Sequence, residues 1–168
     1  MRIPLLLFLL AAVPALADDR FVFQSIDGGD VDISAHDGPV LVVNTASLCA
    51  FTAQYDGLQK LHETYGQRGV MVLAVPSNDF RQELGSDDAV KEFCDVQFGL
   101  TLPMTEITHV RGPDAHPFYA WLADTEGWAP RWNFHKVLMD DGQVVATFGS
   151  TVRPEAQAIT RALEARLR

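Results

Sequence analysis

Two short apolar runs, PVLVV at 39–43 and VMVLAV at 70–75, constrain the fold more than any other feature. Each is rich in Val and Leu without alternation, the pattern of a strand covered on both faces. Gly38-Pro39 opens the first and Pro76 stops the second. Between them Phe51, Tyr55, Leu58, Leu61 and Tyr65 recur at helical spacing, and Gly66 and Gly69 end that segment. A strand, a helix and a second strand in so short a span predict a parallel pair joined by a right-handed crossover.

The remaining elements extend this unit. Ser86-Asp87-Asp88 reads as a helix start, with a capping hydroxyl and acids in the first turn. Val90, Phe93 and Cys94 fall on that helix's inner side, and Gly99 closes it. Leu100 to Met104 reads as a brief strand whose pairing Pro103 restricts. Pro117 opens a short helix, and two strands, NFHKVLMD and QVVATFG, are joined through Asp141-Gly142, a strong hairpin signal. Pro154 is expected to start a last helix with Ile159, Leu163 and Leu167 on one face. Phe21-Val22-Phe23 and Val31-Asp32-Ile33, around Asp27-Gly28-Gly29, predict an added N-terminal β-hairpin. The order is that of an α/β protein with a thioredoxin-like fold: a central mixed β-sheet flanked by helices.

The first 17 residues, MRIPLLLFLLAAVPALA, stand apart. One arginine, an apolar stretch and an Ala-Leu-Ala site before Asp18 predict a secretory signal peptide cleaved after Ala17. A membrane anchor needs about 20 continuous apolar residues, and Pro14 and Asp18 interrupt this one. The expected product is a single domain over 18–168 exported to the periplasm, without membrane insertion. The chain carries a net charge of −9 with no Lys/Arg cluster, so nucleic acid is not an expected partner.

Only two cysteines are present. Cys49 follows the first strand and is expected in the first turn of the next helix, where unpaired amides and the helix dipole favour thiolate. Buried cysteines also occupy such junctions as small apolar residues. Cys94 lies 45 positions on, and a structural disulfide across that loop would stabilise by roughly 4 kcal/mol in the chain-entropy model. Position alone leaves nucleophile, core residue and staple open. A C-x-x-C dithiol is excluded because Thr52 holds the second place. His36, His62, His109, His116 and His135 show no ligand spacing with either cysteine, so no metal and no cofactor is expected.

Four stretches together resemble the glutathione peroxidases, in the branch with a resolving cysteine. NTASLCAFTAQYDGLQKL is similar to the family's N-V-A-S-x-C-G-x-T-x-x-Y-x-x-L-x-x-L block. VPSNDFRQELG resembles F-P-C-N-Q-F-G-x-Q-E-P-G, and RWNFHKVLMDDGQVV matches W-N-F-x-K-F-L-V-x-x-x-G-x-V. EFCDVQFGLTLPM is similar to the segment bearing the resolving cysteine. Carried over residue by residue, the resemblance implies a catalytic set of Cys49, Gln82, Trp132 and Asn133, with Cys94 resolving. A thiolate breaks the O–O bond while neutral donors steady sulfur and leaving oxygen. The chain departs from the pattern at Ala50 (usually Gly), Ser77 (often Cys) and Asp79 (usually Gln), the last an added charge expected to oppose thiolate formation. The segment is also one residue short, so Glu83 is the alternative to Gln82 at the amide position.

The resemblance implies a thiol peroxidase reducing hydrogen peroxide and organic hydroperoxides through a Cys49 sulfenic acid and a Cys49–Cys94 disulfide. A thioredoxin-like dithiol is the expected reductant, in preference to glutathione. The short connection from Ala123 to Arg131 implies a monomer with an open site. Two other classes stay open: a non-catalytic exported binding domain stapled by Cys49–Cys94, and a peroxide sensor or disulfide exchanger.

Overall fold

The computed structural model describes residues 21–167; the expected signal peptide lies outside them. Strands β1 (Val22–Gln24) and β2 (Asp30–Asp32) form the antiparallel N-terminal hairpin. Strand β3 (Val40–Thr45), helix α1 (Gln54–Tyr65) and strand β4 (Met71–Pro76) follow, then α2 (Asp87–Phe98) and α3 (Pro117–Glu126). The chain closes with β5 (Lys136–Asp140), β6 (Gln143–Phe148) and α4 (Gln157–Glu164). The main sheet has the order β4-β3-β5-β6, parallel between β3 and β4 and antiparallel elsewhere.

Each central strand divides its side chains by parity between two cores. Leu41, Val43, Val72, Ala74 and Leu138 face a cluster with Tyr55, Leu58 and Leu61 of α1, Val90 and Cys94 of α2, and Ile159 and Leu163 of α4. Val40, Val42, Leu73, Val75, Val137 and Met139 face another, with Phe118, Tyr119 and Leu122 of α3 and Phe21, Phe23 and Ile33 near the hairpin. Both faces being apolar, β3 and β4 read in sequence as unbroken runs.

Local signals fixed most boundaries. The Ser86 hydroxyl accepts from Ala89 N at 3.3 Å, and Gly99 ends α2 at φ 58°. Asp141 at φ 48° and Gly142 at φ 73° make the tight β5–β6 turn. Two expectations shift. Leu100–Met104 forms no strand: Met104 makes a single bridge to Ala74, and Pro103 offers only its carbonyl to Ala74 N. Helix α4 opens at Gln157, after a turn in which Pro154 packs so close to Gly57 that a methyl on Gly57 would lie 3.2 Å from the proline ring.

Candidate active site

The ends of β3 and β4 and the start of β5 share one edge of the sheet, with Thr45 paired to Pro76 and Val43 to Lys136. Three connecting segments converge there, and hydrogen bonds join them. Leu48 N donates to Gln82 O at 2.9 Å, and Ser47 N to Glu83 Oε1 at 3.0 Å. Asn44 binds the third segment: its Nδ2 donates to Trp132 O at 3.0 Å, its carbonyl accepts from Phe134 N at 2.6 Å, and its own N–H reaches His135 O at 3.2 Å.

Cys49 is 7% exposed and its thiol is free. It does not lie in the first turn of α1, which begins five residues later at Gln54. The reason is a turn ahead of the helix, in which Thr52 N donates to Cys49 O at 3.0 Å and the single Thr52 hydroxyl proton is within reach of the carbonyls of Ala46 and Cys49. The hydrogen bond that reaches Cys49 Sγ comes from Phe51 N in this turn, at 3.5 Å. Ala50 faces outward and is not among the residues with positive φ, so its methyl strains nothing.

Gln82 and Glu83, the two candidates for the amide position, point in different directions. Arg81 adopts φ 58°, a left-handed conformation rare for such a residue. Beyond that kink the Gln82 side chain turns toward Asn133, whose Nδ2 donates to Gln82 Oε1 at 2.9 Å. Glu83 turns inward: its Oε1 accepts from Ser47 N and Leu84 N, while Oε2 has no protein partner. Burial holds its carboxyl above the usual glutamate range, against the opposing pull of the Ser47 and Leu84 donors.

Asn133 is fully buried, and Phe134 after it adopts φ 60°. Trp132 is 41% exposed, its ring 5.4 Å from that of Phe80, and Leu48 beside Cys49 is 61% exposed. Gln82 and Asn133 thus meet directly. Cys49 joins them through the Leu48–Gln82 backbone bond, and Trp132 through Asn44 and Phe80.

Cys94 is fully buried on the inner side of α2, in the same cluster as Cys49, with a free thiol. Burial pushes that thiol up to about 12, with the Tyr55 hydroxyl opposing and the Glu83 and Asp95 charges adding to the rise. Asp79 is engaged by the segment 109–111: Oδ2 accepts from Val110 N at 2.7 Å and Arg111 N at 3.1 Å, and Oδ1 pairs with His109 Nδ1 at 2.7 Å. The hydrogen bond to Asp79 raises His109 above the ordinary histidine range.

Sequence reasoning passed over Asn44 and Lys136. Both fall inside the blocks that resemble the family, Asn44 opening one and Lys136 at the lysine of W-N-F-x-K, but neither was given a role; a lysine in a strand reads as a solvent-reaching side chain, yet Lys136 is fully buried. Beside the Cys49 loop, Ala50, Phe51 and Gln54 face Thr151, Arg153 and Pro154 across a cavity of about 520 Å³. Among the described residues no group of three His, Cys, Asp or Glu side chains is placed to hold a metal ion.

The glutathione peroxidase family model matches residues 19–123, which include Cys49, Gln82 and Cys94. This chain belongs to that family. The family's chemistry makes it a hydroperoxide-reducing peroxidase. A hydroperoxy fatty acid reductase, gpx1, of Synechocystis sp. is 41% identical over 148 residues, covering 80% of this chain and 88% of the relative. A glutathione peroxidase-like peroxiredoxin, GPX5, of Chlamydomonas reinhardtii is 43% identical over 149 residues, covering 85% and 86%. The crystal structure of T. cruzi GPX1 superposes with a TM-score of 0.68 at 29% identity, covering 88% of this chain and 94% of that one. A thioredoxin family protein of Chlorobium tepidum reaches 0.65 at 17% identity over 88% and 93%, a likeness of fold alone.

Proposed function

We propose that this peroxidase works by a two-cysteine cycle. The Cys49 thiol gives its proton to solvent, the thiolate attacks the terminal oxygen of ROOH and becomes a sulfenic acid, and the O–O bond breaks to release RO⁻, which takes a proton back from solvent as ROH. Gln82, Asn133 and the Trp132 indole N–H act as neutral donors around sulfur and leaving oxygen. Cys94 then attacks the sulfenic sulfur, giving a Cys49–Cys94 disulfide and water. A thioredoxin-like dithiol reduces that disulfide, its two thiols becoming a disulfide in turn. The observation that carries this reading is the Asn133–Gln82 amide pair, anchored to the Cys49 loop through the Leu48–Gln82 bond.

Fully buried Cys94 reaches Cys49 only when α2 loosens, so resolution follows a local opening of that helix. The exposed Trp132 and Leu48 beside the nucleophile suit a bulky, apolar hydroperoxide. The name of the Synechocystis relative supports that substrate class. The names of the peroxiredoxin-like relatives support a dithiol reductant over glutathione. We further propose a monomer working in the periplasm after removal of residues 1–17.

The test is reduced protein with one equivalent of hydrogen peroxide, counting free thiols over time. Both thiols are expected to disappear rapidly in wild type, neither in Cys49→Ser, and Cys94→Ser is expected to stop at one oxidised sulfur. Oxidation no faster than in an unfolded peptide would overturn the peroxidase cycle. Mass spectrometry of the chain recovered from a periplasmic extract checks the expected N-terminus at Asp18.

A further inference from the structure

Lys136 is a fully buried lysine on β5, and no carboxylate among the described residues is bonded to it. Its Nζ donates to Gln54 Oε1 at 2.8 Å and to Phe134 O at 2.7 Å. Gln54 Nε2 in turn donates to Ser150 O at 2.6 Å. Ser150 Oγ donates to Asn133 O at 2.6 Å and lies 3.1 Å from His135 Nδ1. A hydroxyl has one proton, so with that proton on Asn133 O the histidine is the donor, as Nδ1–H. The chain of bonds therefore starts on one carbonyl of the Asn133–Phe134 turn and ends on the other.

That turn is where the backbone is held against its preference. Phe134 sits at φ 60°, a conformation that costs a phenylalanine about 1–3 kcal/mol and persists only where surrounding structure enforces it. Immediately before this kink, the Asn133 amide donates to Gln82. Fold stability alone is a poor account of Lys136. An apolar side chain of similar length would fill the site without burying an ionisable amine, a change that is commonly neutral or stabilising. Burial lowers the Lys136 ammonium to about 7, and a neutral amine has two N–H groups for the two acceptors it meets.

We propose that Lys136 is a positioning residue for peroxide reduction: with Gln54 and Ser150 it clamps both carbonyls of the Asn133–Phe134 turn and so keeps the Asn133 amide on Gln82. The inference rests on the two-cysteine reading of the preceding subsection. It adds to that reading three residues that do not touch the reacting atoms, drawn from β5, the first turn of α1 and the turn after β6.

The experiment uses the Cys94→Ser protein, in which oxidation of Cys49 by hydrogen peroxide is isolated and followed by stopped-flow tryptophan fluorescence. Lys136→Met is expected to leave the fold intact by circular dichroism and to slow the second-order oxidation roughly ten- to a hundredfold, the range for a small misplacement of a positioned group. The deciding readout is a cycle with Asn133→Ala. If Lys136 acts through Asn133, adding Lys136→Met to Asn133→Ala slows the reaction by less than twofold more. A role in stability alone gives losses that multiply. Should Lys136→Met fail to fold, Gln54→Leu breaks the clamp's other arm and is held to the same cycle. Multiplying losses, or a Lys136→Met rate within twofold of its parent, overturn this proposal while the peroxidase reading stands. A parent protein that oxidises no faster than an unfolded peptide overturns both.

Discussion

Replacing Glu83 separates the two things its carboxylate does. Glu83 Oε1 accepts from Ser47 N at 3.0 Å and from Leu84 N at 2.8 Å in a site where the residue is 7% exposed. Glu83→Ala orphans both donors. A buried unsatisfied group costs about 1–3 kcal/mol; some water enters the vacated space, so the loss should be roughly 2–4 kcal/mol. For a domain of this size that lowers Tm by about 5–15 °C. Glu83→Gln keeps an acceptor oxygen at the same place and should cost less than about 1 kcal/mol. Charge adds a pH signature. Burial raises the folded carboxyl above its ordinary value, so the folded state holds the proton more tightly than the unfolded chain does. The stability this contributes is fully present below the unfolded glutamate pKa and is lost as pH rises through the folded one. Wild type should therefore lose stability with rising pH across that window, while Glu83→Gln loses less. Urea denaturation at a series of pH values measures both effects. Equal losses for Glu83→Ala and Glu83→Gln, or identical pH slopes for Glu83→Gln and wild type, would refute the reasoning.

Two further substitutions probe the supports of the site. Asp79→Asn removes the partner that raises His109, so the imidazole pKa, read by NMR titration, should fall back toward 6.5. The pair's stabilisation is present below the unfolded histidine value and fades as pH rises through the folded one; with His109 66% exposed it should amount to a few tenths of a kcal/mol. Asn44→Leu removes the donor to Trp132 O. Tryptophan fluorescence anisotropy should fall, and Cys49 oxidation should slow by about tenfold through the misplaced neighbour; unchanged anisotropy would show that Phe80 alone holds the ring.

How much of this was legible in the sequence depended on whether its cause was local. The β3–α1–β4 unit followed from two apolar runs and one helical period, and the β5–β6 turn from Asp141-Gly142. The start of α1 was misplaced because Thr52 bonds the carbonyls behind it, an option that helical spacing does not reveal. The brief strand at Leu100–Met104 shrank to one bridge, since Pro103 removes a donor that periodicity does not count. The divergence of the Gln82 and Glu83 side chains follows a left-handed arginine at position 81, and arginine carries no such signal. The partners of Asp79 lie about 30 residues away, beyond any local pattern. Lys136 matched the lysine of W-N-F-x-K, but its burial was not legible, because in sequence it resembles the many lysines whose heads reach solvent.

Both sulfurs lie on one side of the sheet, in the core shared by α1, α2 and α4. The core under α3 contains neither. The two cysteines thus share one core, and the strands divide it from a second. For anyone attaching the protein to a surface, a dye or a fusion partner, the exposed side of α3 is the handle. A tether there stands across the sheet from α2 and from both cysteines.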